Sequence, residues 1–239
     1  MFRRRSAACL LALAVSAACG AEDVETPPAP TPVVVGNRLD RGAVIDALEY
    51  WQAAAGITYV LETSGLPRLL IRPGTDGIPP WGGGRSLTDD TDDADNRMLS
   101  GLVVIEPGTD TKPAGGTYCA NPGSWLCRYL YRHEIGHTLG HIGHSGLAGL
   151  MQSGSDALHE REHRMIVALY QLPFGARVEA DGTWRVTSTG QSGQIAADVA
   201  ADIIAWNMKA PGGSSYRSLD MISRWALPVR VIIVERTGQ

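Results

Sequence analysis

Apolar positions along the chain recur at two spacings, and the spacings separate helices from strands. Over 40–55, Val44, Ile45, Leu48 and Trp51 repeat at helical intervals, with Asp40 placed as an N-cap and Gly56 as a stop. Residues 57–61, 69–72 and 102–105 are short apolar runs and predict strands. Leu158, Met165, Ile166, Leu169 and Tyr170 form the apolar face of a helix over 158–172, which Pro173 ends. Residues 177–186 predict a hairpin with Asp181-Gly182 at its turn. Helices over 195–208 and 218–225 and a strand over 229–234 follow. The glycines after Trp81 carry no phosphate-binding spelling. The acidic run Asp89, Asp90, Asp92, Asp93 and Asp95 reads as a solvated loop, with a Ca2+ site of several carboxylate oxygens as the alternative.

The densest chemistry lies at 133–144, where His133, Glu134, His137, Gly140, His141 and His144 crowd together. His133 and His137 are four apart, so on a helix their imidazoles lie one turn above each other. That spacing suits two nitrogen ligands on one zinc ion, with Glu134 beside them as a general base rather than a ligand. A straight helix cannot add His141, because its Cα would lie roughly 12 Å from that of His133. Gly140 is placed to turn the chain, since glycine tolerates positive φ at a helix C-terminus. A further histidine, His144 or His141, can then return toward the metal. A second H-E-x-x-H, His159 to His163, has charged middle positions and no turn glycine after it. It reads as the solvated face of the 158–172 helix.

His133, Glu134, His137 and Gly140, with Leu150-Met151 behind them, resemble the metzincin metallopeptidases, whose pattern is H-E-x-x-H-x-x-G-x-x-H followed by a Met-turn. The pattern's third histidine falls on Gly143 here. His144 precedes Ser145, as the third ligand precedes a serine in the matrixin branch, so one inserted residue after Gly140 restores the match. The resemblance implies an α+β fold of two subdomains, with a twisted mixed sheet and the zinc helix above and the Met-turn and a closing helix below. It implies Zn2+ on His133, His137 and His144, with His141 as the alternative third ligand. It places Met151 beneath the metal, and Gln152 and Ser153 beside the substrate side chain beyond the cleaved bond. Matrixins also carry structural calcium. No tyrosine stands two residues after Met151, so the extra tyrosine ligand of astacins and serralysins is not expected. The stretch around Leu102 is the candidate for the family's substrate-binding edge strand.

The chain ends place this chemistry. Arg3-Arg4-Arg5 followed by an apolar core over 7–18 predicts a signal peptide over 1–19. Ser16-Ala17-Ala18-Cys19 resembles a lipobox with Cys19 lipidated; ordinary signal-peptidase cleavage is the alternative. Residues 20–36 read as a Pro-rich linker, 37–175 as the catalytic domain, and 176–239 as an α/β C-terminal extension. Of the 4 cysteines, Cys119 and Cys127 remain in the exported domain, where a lone pair predicts a disulfide. A chain of 239 residues with 44% hydrophobic and 19% charged residues is globular. Its net charge of −4 offers no footprint for nucleic acid or an anionic membrane surface. The expectation is therefore an exported zinc endopeptidase acting on protein or peptide substrates. It would meet the membrane only through a lipid anchor, at the bacterial cell surface or in the periplasm. The rival is a catalytically inactive surface lipoprotein that keeps the scaffold as a binding module, a reading that intact Glu134 opposes.

Overall fold

The computed structural model describes residues 39–65, 68–74, 83–106, 125–152, 155–208 and 221–235, all within one compact unit. The expected signal peptide, lipidation site at Cys19 and linker lie outside the described residues, as do Cys119, the Cys127 side chain and Ser153.

Helix α1, Arg41–Ala55, begins where the sequence predicts, with the Asp40 carboxylate accepting from Ala43 N, and ends at Gly56 with φ 68°. Its buried face is Val44, Ala47, Leu48 and Trp51. Strands β1 (Tyr59–Leu61), β2 (Arg68–Pro73), β3 (Gly84–Thr91) and β4 (Met98–Ile105) follow, then helix α2, Trp125–Thr138. Helix α3 is Glu160–Gln171. Strands β5 (Arg177–Val178), β6 (Thr183–Arg185) and β7 (Ser192–Gln194) form a small antiparallel sheet, whose first turn holds Gly182 at φ 90°. Helix α4, Ala197–Ile203, continues as a π-helical turn over Ile204–Met208, and β8 is Val229–Ile233. The result is a mixed α+β fold.

The main sheet runs β1-β8-β2-β4-β3. The first four strands are parallel, and β3 pairs antiparallel with β4 at the edge. The sheet and the segment before β8 depart from the sequence expectations in three places. Leu102 lies on β4, an interior strand, so β3 is the edge strand on that side. Strand β3 itself lies over residues expected to form a loop. Leu87 is the one large apolar residue in Gly84–Thr91, and the strand is held by backbone pairing to β4 rather than by its own pattern. Residues 221–225 are not helical, with a bend at Met221 and an isolated bridge from Arg224 to Arg97. Their backbone groups are taken by other segments: Ser223 N donates to Asn207, Ile222 N to the Ala176 carbonyl, and the Arg224 carbonyl accepts from Met98 N. The remainder of that expected helix, 218–220, lies outside the described residues.

Strand β8, expected in an appended extension, is inserted between β1 and β2. Tyr59 pairs with Val229, and Leu69 with Val231, so the C-terminus completes the sheet that supports α2. Val229 and Val231 are buried with Leu69 and Ile71 in the same core. Helix α2 packs on α1 and against β3 and β4. The Trp51 indole donates to the Arg132 carbonyl at 2.9 Å, locking α1 to the middle of α2. No helix among the described residues is long and apolar enough to cross a membrane.

Candidate metal centre

Helix α2 delivers His133, Glu134 and His137, and its C-terminus is built as the sequence predicts. His141 N donates to the Gly136 carbonyl at 3.2 Å and Gly140 N to the His137 carbonyl at 3.4 Å, while Gly140 sits at φ 118°. This is a Schellman ending with glycine in its positive-φ position. The chain reverses there and brings His144 back toward the helix.

Among the described residues, His133, His137 and His144 are the group able to hold a metal ion. The Nε2 atoms of His137 and His144 lie 3.0 and 3.2 Å from the Nε2 of His133. Ligand nitrogens on a tetrahedral zinc, at about 2.0–2.1 Å each, stand about 3.3 Å apart, so the donor set fits that ion. The Nδ1 atoms confirm the fit for two rings. His133 Nδ1 meets the Leu150 carbonyl at 2.7 Å, and His137 Nδ1 meets the His141 carbonyl at 2.8 Å. A carbonyl can only accept, so each Nδ1 carries the proton and each Nε2 presents its lone pair. His133 is buried and His144 exposed, which leaves the cluster open on one side.

His141 is not brought to the cluster. Its ring is buried, stacks on Trp206 at 5.1 Å and 16°, and meets the Gly143 carbonyl through Nδ1 at 2.7 Å. The turn after Gly140 thus leaves His141 inward and His144 for the cluster.

Burial sets the protonation of the group. It pushes the His133 imidazole down to about 4, aided by the nearby His144 and opposed by the Leu150 carbonyl. Burial, with His133 and His144 beside it, holds His137 well below its usual range, and burial also lowers His144. The rings are therefore neutral donors near neutral pH, as metal ligation requires. Burial has the opposite effect on Glu134. Its carboxyl is 8% exposed and is raised to about 7, although a hydrogen bond from Ser86 favours the charged form. Strand β3 causes that burial by passing against Glu134, where a Cβ on Gly84 would come within 2.6 Å of Glu134 Cγ.

Met151 lies fully buried against α2, with its sulfur 2.7 Å from where a Cβ on Gly136 would stand. Leu150 orients His133, and the Met151 carbonyl accepts from Ser145 N at 3.1 Å, so this turn holds both sides of the cluster. Gln152 continues the bracing. Its carbonyl accepts from the Tyr129 hydroxyl at 2.9 Å and its side-chain oxygen from Gly146 N at 3.1 Å. That side-chain oxygen thus braces the ligand loop.

The second H-E-x-x-H has a different structure from the first. His159 is the N-cap of α3, and His163 Nε2 meets the Ala54 carbonyl at 2.6 Å. The expectation that its charges face solvent fails at Glu162, which is fully buried. Glu162 accepts from His159 N at 2.8 Å, from Met151 N at 3.2 Å and from the Ser145 hydroxyl. Its position three residues after the N-cap was the available signal. Of the acids considered for calcium, Asp92 accepts from Ala94 N and Asp95 from Arg97, within their own turn, and no metal-binding group forms from them among the described residues. The side chains of Asp89 and Asp90 lie outside the described residues.

No family model, curated protein or solved structure matches the chain.

Proposed function

We propose that the chain is a zinc-dependent endopeptidase of the metzincin type, nearest the matrixin branch and exported through its N-terminal signal. The observation that carries this reading is the convergence of the His133, His137 and His144 Nε2 atoms next to a buried carboxylate. A cluster kept only for packing has no need for two Nδ1–carbonyl contacts that aim bare nitrogens at one point. The edge position of β3 gives further support, because an extended peptide can pair with an open strand beside Glu134.

Bound at the three nitrogens, zinc would supply Lewis acidity, polarising the scissile carbonyl and acidifying water. Glu134 takes the proton from the water as its oxygen attacks the carbonyl carbon. The same carboxyl then passes the proton to the departing amine nitrogen. A carboxyl raised to about 7 by burial is suited to both transfers near neutral pH. His133 and His137 stay neutral through the cycle because their Nδ1 protons are committed to backbone carbonyls. Cys19 would anchor the mature protein to a bacterial membrane through lipid, and Cys119 would pair with Cys127 in the first turn of α2.

Cleavage of a peptide library by the zinc-loaded chain, compared with its Glu134→Gln variant, tests the activity. Cleavage by the parent with loss of at least about a hundredfold in the variant is expected. Equal cleavage by both, or none by a zinc-loaded parent, overturns the endopeptidase reading.

A further inference from the structure

We propose that the segment around Trp206 and Asn207 positions the metal ligands, and that the inserted residue in the ligand loop exists to engage it. This rests on the metal-centre reading above and assigns a role to chain that lies beyond the motif. Within the loop from Gly140 to His144, the His141 Nδ1 meets the Gly143 carbonyl at 2.7 Å. Three contacts from the distant segment tie the loop to the rest of the fold. The Asn207 amide donates to the Gly140 carbonyl at 2.7 Å, and Gly143 N donates to the Trp206 carbonyl at 2.9 Å. The Trp206 ring stacks on the His141 imidazole at 5.1 Å. The three contacts hold the loop at its beginning, middle and end, immediately before His144.

Residue 141 couples this clamp to a second ligand. Its ring is held by Trp206, and its own carbonyl meets His137 Nδ1 at 2.8 Å. Fixing residue 141 therefore orients His137 as well as placing His144. Asn207 is itself pre-set, because its amide also donates to the Ser223 carbonyl at 2.7 Å and accepts from Ser223 N at 2.8 Å. With Asn207 buried, replacing it leaves the Gly140 carbonyl and both Ser223 groups without these partners in a water-poor site. The Trp225 indole adds a parallel tie by donating to the Thr138 carbonyl at 2.7 Å, at the last residue of α2. Trp206 and Asn207 touch no reacting atom, so they are positioning residues.

The test measures zinc affinity of the full chain by competition with a chromophoric chelator, together with the visible spectrum of the cobalt(II)-substituted protein. Variants are Asn207→Leu, Trp206→Leu and Trp206→Phe, with Asp198→Asn on exposed α4 surface as the control. Asn207→Leu and Trp206→Leu are expected to weaken zinc binding about 10- to 100-fold and to alter the cobalt spectrum. Trp206→Phe, which keeps a stacking ring, is expected to restore most of the affinity, and Asp198→Asn to match the parent. Should Asn207→Leu fail to fold, the Trp206 pair decides the question alone. Parental affinity and spectrum in both Trp206 variants overturn the proposal while leaving the metal centre intact. Failure of the parent itself to bind zinc removes the metal-centre reading on which the proposal stands.

Discussion

The Ser145 hydroxyl donates to Glu162 Oε1 at 2.5 Å, joining the residue after the third histidine to the first turn of α3. The same oxygen accepts from Met151 N at 3.2 Å, and the other oxygen from His159 N at 2.8 Å. One buried carboxylate thus holds the ligand loop, the turn beneath the cluster and a helix N-terminus. Its negative charge also sits at the end of α3 where the helix dipole favours it.

Glu162→Ala removes all three contacts and leaves Ser145, Met151 N and His159 N unsatisfied. Unfolding in denaturant is expected to show a loss of about 3 kcal/mol or more, since each buried donor costs about 1–3 kcal/mol. Glu162→Gln, which keeps an acceptor oxygen, should recover part of that loss. A change below about 0.5 kcal/mol in the alanine variant would show that the carboxylate is not structural.

Gly136 separates Trp51 from Met151, and a Cβ there would come within 2.7 Å of the Met151 sulfur. Gly136→Ala should destabilise the fold by about 1–3 kcal/mol through overpacking, read as a lower midpoint in thermal or denaturant unfolding. An unchanged midpoint would mean that α2 does not lie as close to Met151 as described.

Gly84→Ala separates chemistry from metal binding. The added methyl must displace Glu134, whose Cγ lies 2.6 Å from that position, and the three atoms nearest it all belong to Glu134. Turnover is expected to fall about 10- to 100-fold, the scale of a misplaced catalytic group, with zinc content unchanged. Full activity in this variant would place the base elsewhere.

The two H-E-x-x-H stretches should respond differently to the loss of a histidine. His163 meets a backbone carbonyl, so His163→Ala should leave zinc content at the parent's value and cost about 1 kcal/mol of stability. Zinc loss in His163→Ala would assign the metal to the wrong helix in our account.

What could be read in the sequence was local. Asp40 and Gly56 bracket α1 because capping depends on neighbours within a turn, and Gly140 marks the end of the α2 turn for the same reason. The four-residue spacing of His133 and His137 likewise needs no tertiary knowledge. Glu162 carried a local signal three residues after its N-cap, but its contacts to Met151 and Ser145 span 11 and 17 residues, and Trp206 and Asn207 look merely apolar or polar because their partners lie far along the chain. Strand β3 escaped because an edge strand borrows its order from β4. The choice between His141 and His144 also depended on a distant residue: Trp206 holds one ring and leaves the other for the cluster.

The zinc-to-protein ratio of the parent and of His144→Ala, at buffered zinc, decides whether three histidines hold the metal. About one zinc per parent chain and a ratio near zero in the variant are expected, since a site reduced to two protein nitrogens binds far more weakly. A variant that holds as much zinc as the parent would contradict the three-histidine centre and the mechanism built on it.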